Sequence, residues 1–369
     1  LFTEEKISIL VPNLLTWDGK GLVTGGVERY VWQLIDLARE MGFAVDVHQN
    51  GESDWQREIN GIIIRGHGLA AISPEAALQE MHHCTERVLY ASILLNPAVY
   101  KSGSVVISHG VWWDAEGSTV DYVPNMFHIC RNALQGAELV VSCDYNFLNV
   151  IRAVQPVLAQ KIEVIPNFVD VEVFYPAPER KGDTVSILFP RRLDYCRGAD
   201  LFLRAGREIL AAFPNASLHL AVDRNHPQLN SQLEQWLQQQ EHRERIIYGT
   251  YSFEEMPEVY RASDIAVIPT RFSEGTSFSC LEALASGCTV VATDVGGLTN
   301  LIFDEYNGLL IPPTAEALKK ALGRLISEPR LRHRLAKHAR STALAFSHQK
   351  WRSRWAEILH RVYGNGFCR

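Results

Sequence analysis

The strongest constraint on this chain is a rhythm that occurs twice. Short runs rich in β-branched residues alternate with longer amphipathic stretches, the pattern of β-α units wound around a parallel sheet. In the first half the runs fall at 6–11 ("KISILV"), 44–49, 62–65, 105–108 ("VVIS"), 139–142 and 162–165, with helices expected near 27–41, 74–95 and 144–154. The second half restarts at 185–190 ("VSILFP") and continues through 217–222, 245–249, 264–269, 289–293 and 307–312. Between them "FYPAPERKGDT" (174–184) is rich in proline and charge, as a linker would be. With 369 residues and 47% hydrophobic content, two domains are expected. Both read as α/β, Rossmann-like and doubly wound, facing a deep cleft.

The formal net charge of −6 argues against a nucleic-acid partner, whose footprint would be basic. Seven cysteines form no CxxC pair and lie in segments that read as core, so neither a disulfide framework nor a zinc site is expected. No apolar run approaches membrane-spanning length, and "LFTEEKISILVP" lacks the marks of a signal peptide. A reducing cytoplasm is the expected setting. The basic stretch "EPRLRHRLAKHAR" leaves room for peripheral contact with the inner face of an anionic membrane, although a solvated helix face explains it as well.

Doubly wound sheets place ligands at the carboxyl ends of their strands, so the loops there carry the candidates. After "ILVP" comes a loop holding Trp17 and then Gly25 and Gly26, which lead into a helix whose free N–H groups could meet a phosphate. After "VVIS" come His109, Trp112, Trp113 and Asp114, where indoles beside polar groups would suit a sugar. A structural histidine and a core tryptophan are the alternatives there. After "SILFP" come Arg191, Arg192 and Arg197, guanidinium groups suited to a diphosphate, or else solvated surface arginines. After "DIAVIP" comes "TRFSEGTSFSCLEALASG", with Glu274 and Glu282 eight positions apart. A diphosphate at this helix start would be met by backbone N–H groups of Thr276, Ser277 and Phe278 beside Gly275. Ser279 and Glu282 also fit a Ser-x-x-Glu capping box, a structural role for the second glutamate.

Glu274 and Glu282 form an E-x7-E motif. With "GGVERYVWQL", "IPNFVDVEVFYP", "RRLDYCRG" in place of G-R-L-x-x-x-K-G, "IIYGTYSFEEMPEVYRASDIAVIPT" and "NGLLIPP" after "DVGGLTNLI", the chain resembles the retaining GT-B glycosyltransferases of family 4 over almost its whole length. The resemblance implies an acceptor-side domain over 1–172, a donor domain over 173–349, and a terminal helix within 350–369 crossing back to the first. It implies that Gly25 and Gly26 touch donor phosphate or sugar and that Arg192 and Arg197 neutralise the diphosphate. Glu274 would hold donor-sugar hydroxyls, Glu282 the ribose, and His109 would stand near the reaction centre. Tyr248 and Thr250 would border the base. Trp17, Trp112, Trp113 and Asp114 remain acceptor-side candidates. Two departures stand out: Arg197 occupies the usual Lys position, and Phe168 the usual Gly position of the hinge-side loop.

The resemblance further implies a hexosyltransferase with no cofactor and no metal, using a nucleotide sugar, UDP-glucose being favoured. The acceptor would be a glycan or lipid-linked chain in surface or extracellular polysaccharide synthesis. A GT-B glycan phosphorylase, a nucleotide-sugar epimerase, and a sugar-nucleotide-binding protein without turnover are the alternatives.

Overall fold

The computed structural model describes residues 5–68, 73–83, 85, 87–110, 122–177, 183–223, 227–272 and 274–364. Trp112, Trp113 and Asp114 lie outside them. The chain divides into two compact units, one spanning Asn167–His348 and the other formed by the residues up to Pro166 together with those from Gln349 onward.

The first unit carries β1 (Lys6–Leu10), β2 (Ala44–Asn50), β3 (Trp55–Ile59), β4 (Ile62–His67), β5 (Val88–Tyr90), β6 (Val105–Ser108), β7 (Leu139–Ser142) and β8 (Ile162–Val164). They form one sheet in the order β3-β4-β2-β1-β5-β6-β7-β8. All neighbours pair in parallel except β3 and β4, whose hairpin turns at Asn60 (φ 52°) and Gly61 (φ 74°). Both turn residues are left-handed, the type I′ geometry that an Asn-Gly pair supplies. The expected helix over 74–95 is corrected here: it stops at His83, and Val88–Tyr90 is drawn into the sheet between β1 and β6. A helix at Tyr122–Gly136, not foreseen, covers one face. From the other end of the chain the His348–Tyr363 helix buries Trp351, Trp355, Leu359 and Tyr363. Trp355 Nε1 donates to Tyr30 Oη at 2.6 Å, and Tyr363 Oη donates to Val88 O at 2.7 Å, so this helix is part of the first unit's interior.

The second unit carries β9 (Val185–Phe189), β10 (Ala216–Ala221), β11 (Ile246–Gly249), β12 (Ile265–Ile268), β13 (Thr289–Thr293) and β14 (Gly308–Ile311), all within a residue or two of expectation. Both faces of this parallel sheet carry a core, which is why its strands read as predominantly apolar runs. Along β9, Ile187 and Phe189 enter one core with Phe202, Leu218 and Leu322, while Leu188 enters the other with Ala266, Leu281 and Val290.

The unit boundary falls at 166/167 rather than at 172/173. Asn167 N donates to Thr276 Oγ1 at 2.7 Å, Phe168 stacks on His348 at 4.6 Å, and Val169 N donates to Phe346 O while Val169 O accepts from His348 N. These contacts claim residues 167–172 for the second unit before the proline-rich segment begins. Phe174, at the start of the expected linker, is fully buried there.

Candidate functional site

The second sheet runs β11-β10-β9-β12-β13-β14, so strand order reverses between β9 and β12. Such a switch point, at the carboxyl ends of the two strands, is the place where open α/β sheets take ligands. The β9 exit delivers Arg191, Arg192 and Arg197; the β12 exit delivers Thr270 and Glu274.

The two loops are stitched together. Asp194 Oδ1 accepts from Cys196 N at 2.8 Å, and Gly198 closes the turn at φ 73°. A β-carbon on Gly198 would lie 1.9 Å from Pro269 O, so only glycine lets the β9 loop approach the β12 exit this closely. Arg271 N donates to Cys196 O at 2.9 Å, and the Arg271 guanidinium grips Asp200 through two nitrogens. Behind Glu274, Gly297 N donates to the Glu274 carbonyl at 2.7 Å.

Within this frame Glu274 Oε2 accepts three bonds: from Arg191 Nη2 at 2.5 Å, Arg197 Nη1 at 2.7 Å and Thr270 Oγ1 at 2.8 Å. Arg191 also donates through Nη1 to Ser277 Oγ at 2.8 Å. Side-chain exposure is 7% for Arg191, 9% for Glu274 and 15% for Arg197, so the ion cluster is largely out of water. Burial by itself would raise the Glu274 carboxyl, yet the two guanidinium charges and the Thr270 hydroxyl outweigh it and hold the group below its usual range. Burial pulls the Arg191 guanidinium down against the opposing pull of Glu274, whereas for Arg197 the carboxylate dominates and raises it.

The helix that follows spans Phe278–Ala285 and is capped by Ser277, whose hydroxyl accepts from Cys280 N at 3.4 Å. The capping box on Ser279 and Glu282 is therefore corrected: the cap lies two residues earlier, and Glu282 sits inside the helix. The residue is 6% exposed, and its carboxylate accepts from Tyr260 Oη at 3.0 Å. Burial first, then the Glu282 charge, drives the Tyr260 phenol far above its ordinary range, so it stays a donor. Thr276 Oγ1 and the Thr276 carbonyl are both engaged by Asn167, and Phe278 meets Phe168 edge-on at 5.4 Å. Gly275 is buried beside the Gly297 backbone.

Of the predicted diphosphate pair, Arg197 reaches Glu274, and the charges of Arg192 and Arg197 both act on Asp194. Arg192 is exposed, with its charge felt by Asp194, while the adjacent Arg191 takes the buried place beside Glu274. Successive side chains leaving a strand point to opposite sides, which is the signal that could have told the two apart. Tyr248 is half-buried under the Arg243 guanidinium at 4.9 Å, and Thr250 Oγ1 donates to Val222 O at 2.9 Å. Thr270, Tyr260 and Asn167 were not foreseen, since none has a local pattern linking it to the glutamates.

In the first unit His109 sits at the end of β6. Its Nε2 faces the Ala91 carbonyl at 2.9 Å, so Nε2 carries the proton, and Nδ1 faces Cys143 Sγ at 3.6 Å. Burial pushes this imidazole down to about 4, the Ala91 bond opposing it, so the ring is neutral at pH 7. Gly25 caps the Gly26–Glu40 helix in ordinary extended backbone (φ −172°), and a β-carbon there would meet the Glu28 carboxylate. Trp17 is 47% exposed, its carbonyl holding Trp55 Nε1 at 2.8 Å. Among the described residues no group of three or more His, Cys, Asp and Glu is placed to hold a metal, and no helix is long and apolar enough to cross a membrane.

Two Rossmann-like sheets, the second bearing a buried Glu–Arg cluster at its switch point and a second glutamate in the following helix, give the chain the GT-B fold, and residues 172–342 match the family model described as glycosyl transferases group 1. A curated relative is the D-inositol 3-phosphate glycosyltransferase of Corynebacterium jeikeium, 32% identical over 221 residues, covering 55% of this chain and 51% of that protein. The chain spans about half the length of the curated relatives it matches. Among solved structures, sucrose-phosphate synthase from Thermosynechococcus elongatus superposes with TM-score 0.79 at 18% identity, covering 98% of this chain and 100% of that one. Anabaena Alr3699/HepE in complex with UDP-glucose gives TM-score 0.72 at 18% identity, covering 96% and 99%. These two likenesses bear on the fold.

Proposed function

We propose that this chain is a retaining hexosyltransferase that moves glucose from a nucleoside-diphosphate sugar, UDP-glucose first among the candidates, to a glycan or lipid-linked acceptor in surface polysaccharide synthesis. The observation carrying this reading is the Arg191–Glu274–Arg197 cluster at the β9/β12 switch point, with buried Glu282 eight residues on. A cationic cluster at a strand end suits a diphosphate, and carboxylates beside it suit the hydroxyls of sugar and ribose. UDP-glucose is the ligand in the HepE complex, and the curated relatives' name adds inositol phosphates to the acceptors worth testing.

Breaking the sugar–phosphate bond leaves the electron pair on the nucleoside diphosphate. Arg192, Arg197 and the amide-rich start of the Phe278–Ala285 helix would meet that charge, lowering the barrier without a metal. The acceptor oxygen bonds to the anomeric carbon on the face the diphosphate leaves, and the acceptor proton passes to the departing phosphate oxygen.

Calorimetry with UDP, GDP, ADP and their glucose conjugates, on wild type and Glu282→Gln, tests the donor reading. One diphosphate should bind, with affinity reduced tenfold or more in the variant and unchanged by EDTA. Binding of none of them would overturn the reading; product formation only with inorganic phosphate, or without an acceptor, would favour a phosphorylase or an epimerase.

A further inference from the structure

Charge counting in the cluster is uneven: one carboxylate faces two guanidinium groups. All three bonds that described residues make to the Glu274 carboxylate fall on Oε2. The two arginines are not equivalent. Arg191 is the more buried and is also tied to Ser277 Oγ and Thr270 Oγ1, so its position is fixed by the helix cap and the β12 exit. Arg197 lies on the β9 loop and keeps more of its side chain in solvent. Arg191 stands where the G-R-L-x-x-x-K-G pattern has its first glycine.

We propose that Arg191 is a positioning residue for donor binding: it is the permanent counter-ion of Glu274, and by neutralising that carboxylate it leaves the Arg197 charge available to the donor diphosphate. The inference rests on the donor reading above. A buried carboxylate without a fixed partner would hold Arg197 to itself, because an uncompensated buried charge is costly. With Arg191 in place, Arg197 can turn to the phosphates while Glu274 keeps a cation on Oε2 and offers Oε1 to a sugar hydroxyl. The other titratable groups around the cluster are Asp194 and Cys196 on the β9 loop, Cys280 in the capped helix and Tyr260 behind it. The three thiol and phenol groups are neutral at pH 7, so Glu274 is the carboxylate in direct contact with both arginines.

The test measures affinity for UDP, GDP and ADP in wild type, Arg191→Gln, Arg191→Lys and the double variant Arg191→Gln/Glu274→Gln, with thermal unfolding as a check on folding. For the diphosphate that binds wild type, R191Q should lose tenfold or more, because Arg197 is then captured by Glu274. Removing the carboxylate as well should restore affinity to within about threefold of wild type, and R191K, which keeps the charge, should stay within the same range. The R191Q defect should shrink as pH falls and Glu274 is protonated. A double variant no better than R191Q, or R191Q binding like wild type, overturns the inference. Should R191Q not fold, a tenfold loss in folded R191K has the same force. Absence of binding to wild type would instead count against the donor reading itself.

Discussion

Replacing Glu274 by Gln keeps the shape of the side chain and removes the charge between two buried guanidinium groups. Breaking a buried pair by neutralising one partner costs about 3–5 kcal/mol, because the remaining charge is left in a poorly solvating place. For a unit of this size each kcal/mol lowers the melting temperature by about 2–4 °C, so the second unit should melt roughly 6–20 °C earlier. The cost should depend on pH in a defined direction. The folded-state Glu274 carboxyl lies below its ordinary range, so its stabilising contribution is fully present above the unfolded value near 4.3 and is lost as pH falls through the folded value. Urea denaturation of wild type and E274Q, followed by a probe in 167–348, should show the full difference from pH 7 down to about 5 and a shrinking one below about 4. A difference under about 1 kcal/mol at pH 7, or one independent of pH, would mean that the carboxylate does not compensate the arginines, and the electrostatic account of the site would fail.

Gly198→Ala should cost at least about 2 kcal/mol, since a left-handed backbone and the Pro269 carbonyl both oppose a β-carbon; denaturant unfolding reads it, and a loss below 0.5 kcal/mol would refute the close approach. Tyr260→Phe removes the phenol donor from buried Glu282, an expected loss of about 1–3 kcal/mol together with weaker nucleotide binding by calorimetry. Arg192→Ala should leave stability within about 0.5 kcal/mol because the side chain is exposed, yet weaken diphosphate binding by tenfold or more.

The second sheet was almost fully legible because most of its strands are buried and read as short, predominantly apolar runs. The first sheet hid two strands. β3 is a largely exposed edge strand, "WQREI", with no apolar alternation to read, and the Asn60-Gly61 turn signal beside it was not used. β5 is three residues long, and the helix expected over 74–95 ran through the whole of it, whereas pairing with β1 and β6 makes it a strand. At the site, the spacing of Glu274 and Glu282 was visible in the sequence, but their partners were not. Thr276, Ser277 and Ser279 all offer hydroxyls for the cap, and the extended backbone of Ser277 (φ −71°, ψ 125°) settles the choice. Arg191 and Arg192 have the same chemistry; the direction in which the chain leaves β9 buries one and exposes the other.

The helix that completes the first unit is made from residues 348–363, after the whole of 167–348 has been written into the chain. During synthesis the second unit is contiguous and can close as soon as its own last residues emerge. The first unit, although begun earlier, lacks Trp351, Trp355 and Tyr363 until then, and Tyr30 and the amide of Val105 wait for partners more than 250 residues away. The usual N-to-C order of domain maturation is thereby inverted, and a nascent first unit must survive with part of its interior missing. Loss of residues 348–363 would consequently be felt first around Tyr30 and Val105, in the unit that precedes residue 167.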